Sequence, residues 1–328
     1  MKKFIKKVAV MTSGGDSPGM NAAIRSVIRA AAFYNLDSVG IYRGYQGLIE
    51  GDIEHMNARS AHHLVQKGGT ALKTARSKEF MTVEGRKKAY DNLVKYDIDA
   101  MVVIGGDGSF TGAMVFSNEF DFPIIGIPGT IDNDIFGTDF TVGYDTALNT
   151  AIEVIDKIRD TASSHNRLFF VEVMGRDAGH IALNAGIGAG AEEILIPEED
   201  MGIDRLLITL EKSRRSGKTS SLVIVAEGDK TGDNVFHLAK YVEDNLPEYD
   251  VRVSVLGHMQ RGGAPSCFDR VLASRMGVHA VELLIDGKSN VMVGLQNGKM
   301  TTTPLENAIK ENNPIDKEIL RVSDIMSV

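Results

Sequence analysis

The feature that most constrains the fold is a short apolar run that ends in small residues and is followed closely by an aspartate. Residues 8–11 lead into Thr-Ser-Gly-Gly-Asp (12–16), residues 100–104 into Gly-Gly-Asp-Gly-Ser (105–109), and residues 124–127 into Pro-Gly-Thr-Ile-Asp-Asn-Asp (128–134). An open α/β sheet places its chemistry where buried strands end in such turns. We therefore expect these strand ends to converge on one crevice.

Strand-like and helix-like stretches alternate along the chain. The patterns predict strands at 8–11, 39–42, 100–104, 123–127, 168–173, 193–196, 221–226 and 252–256, and helices at 18–33, 57–67, 82–96, 108–118, 144–163 and 269–286. This alternation predicts an α/β fold, with a mainly parallel sheet and helices on both of its faces.

Composition narrows the class of protein. The chain has 328 residues, enough for two α/β domains, and no apolar run approaches the roughly 20 residues of a membrane-spanning helix. Residues 1–7 are basic, but the apolar stretch that follows is too short for a signal peptide. Cys267 is the only cysteine, so we expect a cytoplasmic protein without an internal disulfide. The net charge of −8 argues against nucleic acid as a partner, and arginine clusters must hold any anionic ligand.

The first two glycine turns are candidates for phosphate binding. Gly14 and Gly15 precede a helix, where glycine lets the backbone N–H groups approach a phosphate. In the second turn, Asp107 can hold Mg²⁺ directly or through water. That turn is not a Walker A loop, because it lacks the Gly-Lys-Ser/Thr ending. Each turn alone is also compatible with a plain strand-to-helix connection in which Asp107 caps the helix.

The third turn carries the candidate base. Asp132 and Asp134 are two positions apart, so in an extended segment both carboxylates face the same way. One of them can accept a proton from a substrate hydroxyl while the other serves a metal or the fold. The alternative is an Asx-turn, in which Asn133 and Asp134 bond their own backbone.

Basic residues stand near the ends of other predicted strands. Arg167 precedes the strand at 168–173 and Arg176 follows it, while Arg252 opens a later strand that His258 and Arg261 follow. Arginine forks suit phosphate, although any single arginine is more commonly part of a surface salt bridge. For Arg176, His258 and Arg261, which lie beside glycines just past a strand, we favour a phosphate or sugar site.

Taken together, these motifs resemble the short, bacterial-type 6-phosphofructokinases. The resemblance rests on Thr-Ser-Gly-Gly-Asp-Ser-Pro-Gly-Met-Asn-Ala-Ala-Ile-Arg (12–25), Gly-Gly-Asp-Gly-Ser (105–109), Pro-Gly-Thr-Ile-Asp-Asn-Asp (128–134), Met-Gly-Arg (174–176) and Gly-His-Met-Gln-Arg-Gly-Gly (257–263). It implies two doubly wound, mainly parallel α/β domains. Residues 1–142 with 257–305 would bind the nucleotide, and residues 143–256 with 306–328 the sugar phosphate.

The resemblance also implies an activity, the transfer of the ATP γ-phosphoryl group to the 1-hydroxyl of fructose 6-phosphate in glycolysis. Asp132 matches the base, and Arg76 and Arg176 match residues that stabilise charge on the transferring group. The positions that match ATP contacts are Gly15, Arg76, Ser77, Gly106, Asp107, Gly108 and Ser109, with Asp107 also at the Mg²⁺ site. Those that match sugar-phosphate contacts are Thr130, Asp132, Arg167, Met174, Gly175, Arg176, Glu227, Arg252, His258 and Arg261.

Family patterns also bear on the phosphoryl donor. Members that use pyrophosphate carry aspartate and lysine where this chain has Gly108 and Gly129, and those side chains occupy the space of the ATP α-phosphate. The glycines therefore point to ATP. The chain departs from the family at Ser77, which is often aromatic, and at Ala58, where a basic residue is expected and Arg59 is next to it.

The resemblance further implies a homotetramer regulated by effectors such as ADP and phosphoenolpyruvate. In the family, the positions of Arg167 and Arg252 come from a neighbouring subunit. The positions that match effector contacts are Arg25, Arg29, Arg59, Arg159, Gly190, Glu192, Arg215 and Lys218. Without the resemblance, Arg25 and Arg29 would be read as a pair of like charges facing water, four residues apart on one helix.

Other functions stay open at this stage. One is a pyrophosphate-dependent phosphofructokinase, and another is a kinase of the NAD or diacylglycerol type, which shares the Gly-Gly-Asp-Gly turn. A third is a non-catalytic sugar-phosphate sensor. The motifs at 128–134 and 257–263 speak against the second, and the presence of Asp107, Asp132 and Arg176 speaks against the third.

Overall fold

The computed structural model describes residues 5–162, 167–199, 202–217 and 220–326. The chain divides into two compact units. Unit 1 consists of Met1–Ile131, Ile135–Thr146 and Arg261–Asn313, and unit 2 of Asp132–Asp134, Ala147–Gln260 and Pro314–Val328. The assignment of one domain to the nucleotide and the other to the sugar phosphate stays a prediction.

Strands and helices alternate through most of the described chain. The strands are β1 (Lys7–Thr12), β2 (Asp37–Ile41), β3 (Ile53–Met56), β4 (Ala100–Gly105), β5 (Ile124–Pro128), β6 (Arg167–Val173), β7 (Glu193–Leu195), β8 (Ser220–Ala226), β9 (Asp250–Val255), β10 (Val291–Gln296) and β11 (Lys299–Pro304). The helices are α1 (Met20–Phe33), α2 (Gly44–Glu50), α3 (Val83–Lys95), α4 (Asp107–Phe120), α5 (Tyr144–Ala162), α6 (His180–Ala189), α7 (Ile203–Arg215), α8 (Val235–Asn245), α9 (Cys267–Ile285), α10 (Leu305–Lys310) and α11 (Lys317–Met326).

The sheet of unit 1 has its strands in the order β11-β10-β5-β4-β1-β2-β3. The pairs from β10 to β2 are parallel, and the edge strands β11 and β3 are antiparallel. Successive residues of β1 serve opposite faces: Val8 and Val10 pack into the core that contains Ile24 of α1, and Met11 into the core that contains Phe110 of α4. This double burial explains why the central strands read as continuous apolar runs.

The sheet of unit 2 has the order β7-β8-β6-β9, and the pairs are parallel in the described residues. Leu168 and Phe170 of β6 lie in a core with Leu206 of α7 and Leu238 of α8. The strand β6 is an inner strand of this sheet, between β8 and β9.

The α/β class with mainly parallel sheets is confirmed. The helix predicted at 57–67 is wrong, because the segment forms turns. The side-chain oxygen of Asn57 accepts hydrogen bonds from the N–H groups of Arg59 and Ser60, and His63 has a φ of 59°. An Asx-turn and a left-handed residue compete with the helix there. Ser163, the predicted last residue of the helix at 144–163, lies outside the described residues.

Within the described ranges, no helix is both long enough and apolar enough to cross a membrane.

Candidate functional site

The glycine turns that follow β1, β4 and β5 lie side by side at the carboxyl edge of the unit 1 sheet. In the register of the sheet, Thr12 pairs with Ile104 and Gly105 pairs with Pro128. Beyond the strands, Gly129 N–H donates to the Gly105 carbonyl at 3.0 Å. The strand order therefore brings together turns that are about a hundred residues apart in the sequence.

Close packing explains the glycines in these turns. A Cβ atom on Gly105 would lie 2.5 Å from the carbonyl oxygen of Ser13, so no side chain fits there. Gly14 has a φ of +86°, a conformation that side-chain-bearing residues rarely adopt. The turns can approach each other, and a ligand, only because both positions lack a side chain.

The start of α4 is suited to an anion. Gly106 is the N-cap residue of the helix, and Asp107 lies in its first turn. The N–H groups of the first turn of a helix lack intrahelical partners, and the helix dipole favours negative charge there. A Cβ atom on Gly108 would meet nothing within 4 Å among the described atoms, so this position borders open space. Thr130 lies beside this turn, 3.8 Å from a Cβ built on Gly106.

Asp107 fits the role of a magnesium ligand. Its side chain is partly exposed at the edge of the glycine turn, where a nucleotide phosphate would approach. The described ranges contain no group of three or more His, Cys, Asp and Glu side chains arranged to hold a metal ion. Mg²⁺ commonly uses one or two carboxylates together with phosphate oxygens and water, so a single aspartate beside a phosphate site is enough.

Arg261 lies against the first glycine turn. A Cβ atom on Gly15 would come within 3.0 Å of the Arg261 Nη1, and that nitrogen donates to the Asp16 carbonyl at 3.3 Å. The guanidinium is half-buried over the turn, close to where a phosphate would bind. Its assignment to the sugar phosphate stays a prediction.

Hydrogen bonds hold the segment that carries Arg76 and Ser77. Arg76 is exposed, whereas the Ser77 hydroxyl accepts a hydrogen bond at 3.2 Å from the N–H of Phe80, which lies in the short 3₁₀ turn Glu79–Met81. Arg86, which the sequence analysis missed, donates to the Met81 carbonyl at 2.9 Å and pairs with Glu119.

Tyr45 is a second residue that the sequence analysis missed. Its ring stacks on Phe80 with the centroids 4.0 Å apart, and its hydroxyl donates to the Ser109 carbonyl at 2.5 Å. Burial raises the pKa of the Tyr45 phenol, so the hydroxyl keeps its proton as a donor. Tyr45 thereby connects the 105–109 turn to the segment that carries Ser77.

The candidate base lies in a largely buried turn. Thr130 is 8% exposed and Asp132 is 5% exposed, so neither side chain is a freely solvated surface group. The Thr141 hydroxyl donates to the Thr130 carbonyl at 2.6 Å. Asn133 has a φ of 55°, a conformation that asparagine tolerates better than most residues. The alternative of an Asx-turn at Asn133 and Asp134 stays a prediction.

In unit 2, the carboxyl end of β6 forms a candidate binding turn. One oxygen of Glu227, Oε1, accepts hydrogen bonds from Arg176 N–H at 2.6 Å and from Gly175 N–H at 3.3 Å. Gly175 has a φ of 147° and Arg176 a φ of 55°. A non-glycine residue in the left-handed region is strained, and the hydrogen bonds to Glu227 hold the turn in this conformation. The Arg176 side chain is 63% exposed, which leaves it accessible to a ligand.

Gln260 contacts the same turn from another segment of the chain, and the sequence analysis missed it. Its side chain is fully buried, and its Oε1 accepts a hydrogen bond from Met174 N–H at 2.9 Å. Its neighbour two residues earlier, His258, is exposed. The structure thus brings Met174, Arg176 and His258 to the same end of the unit 2 sheet. The signal that could have pointed to Gln260 is its place in the motif Gly-His-Met-Gln (257–260), which is part of the resemblance.

Arg167 and Arg252 lie at the opposite end of that sheet. Arg167 Nε approaches Asp250 Oδ2 at 3.3 Å, and Arg252 Nη2 approaches Asp250 Oδ1 at 2.8 Å. Because β6 rises about 3.3 Å per residue, Arg167 and Met174 are separated by roughly 20 Å. Within one chain, Arg167 and Met174 are therefore too far apart to contact the same sugar phosphate. Both guanidinium groups thus share the single carboxylate of Asp250.

Among the residues that match effector contacts, Arg25 and Arg29 line a groove of about 290 Å³ in unit 1. Phe33, Tyr34 and Val278 supply apolar walls to this groove. Arg59, in the turns at 57–67, is exposed.

The other members of that set lie in unit 2, except for Lys218, which lies outside the described residues. Arg159 Nη2 donates to the Gly190 carbonyl at 2.8 Å, and the buried Glu192 accepts a hydrogen bond from Leu222 N–H at 2.6 Å. Arg215 is engaged with Glu211 one helical turn earlier. The structure thus brings Arg159 and Gly190 together.

The fold is that of an α/β protein whose glycine turns meet at the carboxyl edge of a parallel sheet. A family model described as phosphofructokinase matches residues 7–284, and the chain belongs to that family. It is 52% identical over 324 residues to an ATP-dependent 6-phosphofructokinase 2 of Bacteroides thetaiotaomicron, covering 99% of both chains. It is also 52% identical over 324 residues to an ATP-dependent 6-phosphofructokinase of Bacillus pumilus, covering 99% of this chain and 100% of that relative.

Solved structures give the same fold. The phosphofructokinase from Saccharomyces cerevisiae matches with a TM-score of 0.88 and 40% sequence identity. The match covers 93% of this chain and 45% of the yeast chain, so the yeast protein is much longer.

Proposed function

We propose that this chain is an ATP-dependent 6-phosphofructokinase, which transfers the γ-phosphoryl group of ATP to the 1-hydroxyl of fructose 6-phosphate. The observation that carries the proposal is the meeting of the β1, β4 and β5 turns at one edge, with Gly108 facing open space and Thr130 beside Gly106. The near full-length similarity to bacterial ATP-dependent 6-phosphofructokinases supports it.

The nucleotide would bind to the backbone of unit 1. The N–H groups at the start of α4 would donate to phosphate oxygens, and Gly15, Gly106 and Gly108 would let the polyphosphate come close. Asp107 would hold Mg²⁺, which neutralises charge on the phosphates when it is bound. Arg76 is exposed and would place a positive charge near the transferring group.

Asp132 would act as the general base. It accepts the proton of the 1-hydroxyl as that oxygen bonds to the γ-phosphorus and the bond to the β-phosphate oxygen breaks, releasing ADP. Phosphoryl transfer depends mostly on positioning and on stabilisation of charge, which is what Thr130 and Arg176 would supply. The low exposure of Asp132 supports this role, because a buried carboxylate is fixed in place.

The sugar phosphate would be held by Met174, Gly175, Arg176, Glu227, His258 and Arg261, and by Arg167 and Arg252 of a neighbouring subunit. The separation of Arg167 from Met174 along β6 supports such sharing, since one chain cannot bring both to one ligand. We therefore propose that the active form is an oligomer, with a homotetramer as the expected state. A cytoplasmic location stays a prediction.

ATP is favoured over pyrophosphate as the donor because of Gly108 and Gly129. A side chain at Gly108 would project into open space that the α-phosphate of ATP would need. At Gly129, a Cβ atom would already lie 3.0 Å from Ile104 Cγ2, so a longer side chain would crowd the turn.

Regulation by nucleotide and phosphoenolpyruvate-type effectors is part of the proposal. Arg25 and Arg29 in the groove of unit 1 support anion binding there, and the Arg159–Gly190 contact in unit 2 supports the assignment of that region. An effector would act by binding two states of the oligomer with different affinity, typically with about 1–3 kcal/mol of coupling.

The activity is tested by incubating the purified protein with Mg-ATP and fructose 6-phosphate and measuring ADP and fructose 1,6-bisphosphate together. We expect equal amounts of the two products. ADP without sugar bisphosphate, or turnover only with NAD or diacylglycerol as acceptor, would contradict the proposal. Binding of fructose 6-phosphate without turnover would favour a sensor.

A further inference from the structure

A fully buried carboxylate at the start of α9 lies outside the residues assigned to the reaction. Asp269 is 0% exposed. Its Oδ1 accepts a hydrogen bond from Gly143 N–H at 2.8 Å, and its Oδ2 accepts from Thr146 N–H at 2.8 Å and from the Thr146 hydroxyl at 2.5 Å. The Thr146 hydroxyl itself accepts from Ser266 N–H at 2.9 Å, which leaves its own proton for Asp269.

The donors belong to the start of α5, so Asp269 caps that helix from another part of the chain. Asp269 and Thr146 are 123 positions apart in the sequence. A carboxylate at a helix N-terminus satisfies N–H groups that have no intrahelical partner and interacts favourably with the helix dipole. Asp269 therefore fixes the place where α5 begins.

The segment just before α5 is joined to the turn that carries Thr130. Val142 N–H donates to the Pro128 carbonyl at 2.8 Å, and the Thr141 hydroxyl donates to the Thr130 carbonyl at 2.6 Å. Val142 also forms an isolated parallel bridge with Gly129. Residues 141–142 therefore run alongside the turn that follows β5.

The same segment is joined to the region that follows β1. The Ser17 hydroxyl donates to the Val142 carbonyl at 2.9 Å. A Cβ atom on Gly143 would lie 2.6 Å from the Cβ of Ser17, so the segment packs with little room to shift. Asp269 thus holds, from one side, a segment that contacts both of these regions.

We propose that Asp269 is a positioning residue, which anchors residues 141–146 and through them holds Thr130 in place for phosphoryl transfer. This inference rests on the proposed function, because it assigns Thr130 a part in the reaction. Asp269 itself is not among the residues that we propose to contact a substrate. Its effect passes through Gly143 and Val142 to the Thr130 turn.

The cost of this carboxylate to stability supports a role beyond folding. Burial, with a smaller contribution from the charge of Asp145, raises the pKa of Asp269 from 3.8 to about 6. A raised carboxyl pKa means that the protonated form contributes stability below about pH 4, and that this contribution is lost as the pH rises through 6. At neutral pH the ionised group therefore lowers the free energy of unfolding, while it keeps its hydrogen-bond acceptors.

The test compares Asp269→Asn with wild type. Asparagine has the same shape, but its NH₂ group cannot accept the N–H donors of Gly143 or Thr146. We expect kcat to fall about 10- to 100-fold, because small misplacements of reacting groups have effects of this size. The KM for ATP should stay nearly unchanged. The Tm of Asp269→Asn minus the Tm of wild type should increase as the pH rises from 5 to 7.5, because only wild type has a carboxyl group that ionises at this position. Asp286→Asn, on the exposed C-cap of the same helix, is the matched control.

A second readout does not depend on activity. Hydrogen exchange at the Val142 and Gly143 amides should be faster in Asp269→Asn, and to a lesser degree in Thr146→Val, which removes one donor. Unchanged exchange at these amides, or a kcat within about threefold of wild type, would overturn the inference. An inactive wild type would overturn the proposed function instead, and the exchange experiment would still report whether Asp269 anchors the segment.

Discussion

The two regions that we expect to bind phosphate groups are built in different ways. In unit 1 the backbone dominates: the turns after β1 and β4 each contain adjacent glycines, the turn after β5 contains Gly129, and α4 presents its N-terminus. In unit 2, side chains dominate. Glu227 fixes the turn at Gly175 and Arg176, while Arg167 and Arg252 share the carboxylate of Asp250 at the other end of the sheet.

The difference teaches what each region can tolerate. A backbone site excludes side chains, as at Gly105, where a Cβ atom would lie 2.5 Å from the Ser13 carbonyl oxygen. A site built from side chains depends instead on where its charged groups lie. In unit 2 this includes Arg176, whose backbone is in the left-handed region. Substitutions in unit 1 should therefore act through space and backbone geometry, and those in unit 2 through loss of charge.

Asp132 stands apart from this contrast because we propose it as the general base, and its substitution should have the largest effect. Asp132→Asn keeps the shape but removes the proton acceptor, so kcat should fall by about 10²–10⁴-fold. The KM for fructose 6-phosphate should change much less. The matched control is Asp121→Asn, the same change at the exposed C-cap of α4, which should leave kcat nearly unchanged. A kcat of Asp132→Asn within about threefold of wild type would show that another group is the base.

A substitution at Arg252 tests whether the site in unit 2 depends on charged side chains. Loss of a charge-assisted hydrogen bond to phosphate typically costs about 1.5–3 kcal/mol, so Arg252→Ala should raise the KM for fructose 6-phosphate about 10- to 100-fold, with a smaller fall in kcat. Arg205→Ala, which removes another arginine of unit 2 paired with a single aspartate, is the control. An unchanged KM would make Arg252 a structural partner of Asp250 alone.

Sharing of Arg252 between subunits can be tested by mixing variants. If each site uses Asp132 of one chain and Arg252 of another, a hybrid of Asp132→Asn and Arg252→Ala chains contains some sites with both residues intact. Activity should then rise when the two variants are unfolded, mixed and refolded together. Activity equal to the average of the separate variants would place both residues in the site of one chain.

Arg25 and Arg29 should have the smallest effect on catalysis. The double variant Arg25→Ala, Arg29→Ala should leave kcat at saturating substrate nearly intact, and it should abolish the response to ADP and to phosphoenolpyruvate. The measurement is a fructose 6-phosphate saturation curve with and without each effector. Arg59→Ala, measured in parallel, tests whether Arg59 takes the place in effector binding of the basic residue expected at Ala58. A double variant that still shifts its midpoint like wild type would place the effector site elsewhere.

Much of the fold could be read from the sequence because its signals are local. Residues 100–104 were predicted as a strand from a continuous apolar run, and β4 covers Ala100–Gly105. The hairpin of β10 and β11 was not predicted, although Asn297 and Gly298, with φ values of 50° and 76°, form the turn that an Asn-Gly pair favours. That signal was present and was overlooked.

The candidate site was only partly accessible from the sequence. Glycine turns after strands can be recognised locally, and the structure brings the three predicted turns to one edge of the unit 1 sheet. Asp269, Gln260 and Arg86 were missed because their roles arise from tertiary contacts. Asp269 caps a helix 123 positions earlier, and Gln260 bonds Met174 across 86 positions. Nothing in the local sequence shows which backbone N–H group such a side chain will meet.

The central claim, that the nucleotide binds to a backbone-built site with room for an α-phosphate, is tested most directly at Gly108. Gly108→Ala adds a Cβ atom that meets no described atom within 4 Å, so it should keep most of the ATP-dependent activity. Gly108→Asn adds volume, and Gly108→Asp adds both volume and a negative charge. The measurement is the KM for ATP of these variants and of wild type, together with turnover with pyrophosphate. We predict that wild type uses ATP and not pyrophosphate, and that the KM for ATP rises from alanine to asparagine to aspartate. Equal turnover of both donors by wild type, or an unchanged KM for ATP in Gly108→Asp, would contradict the account.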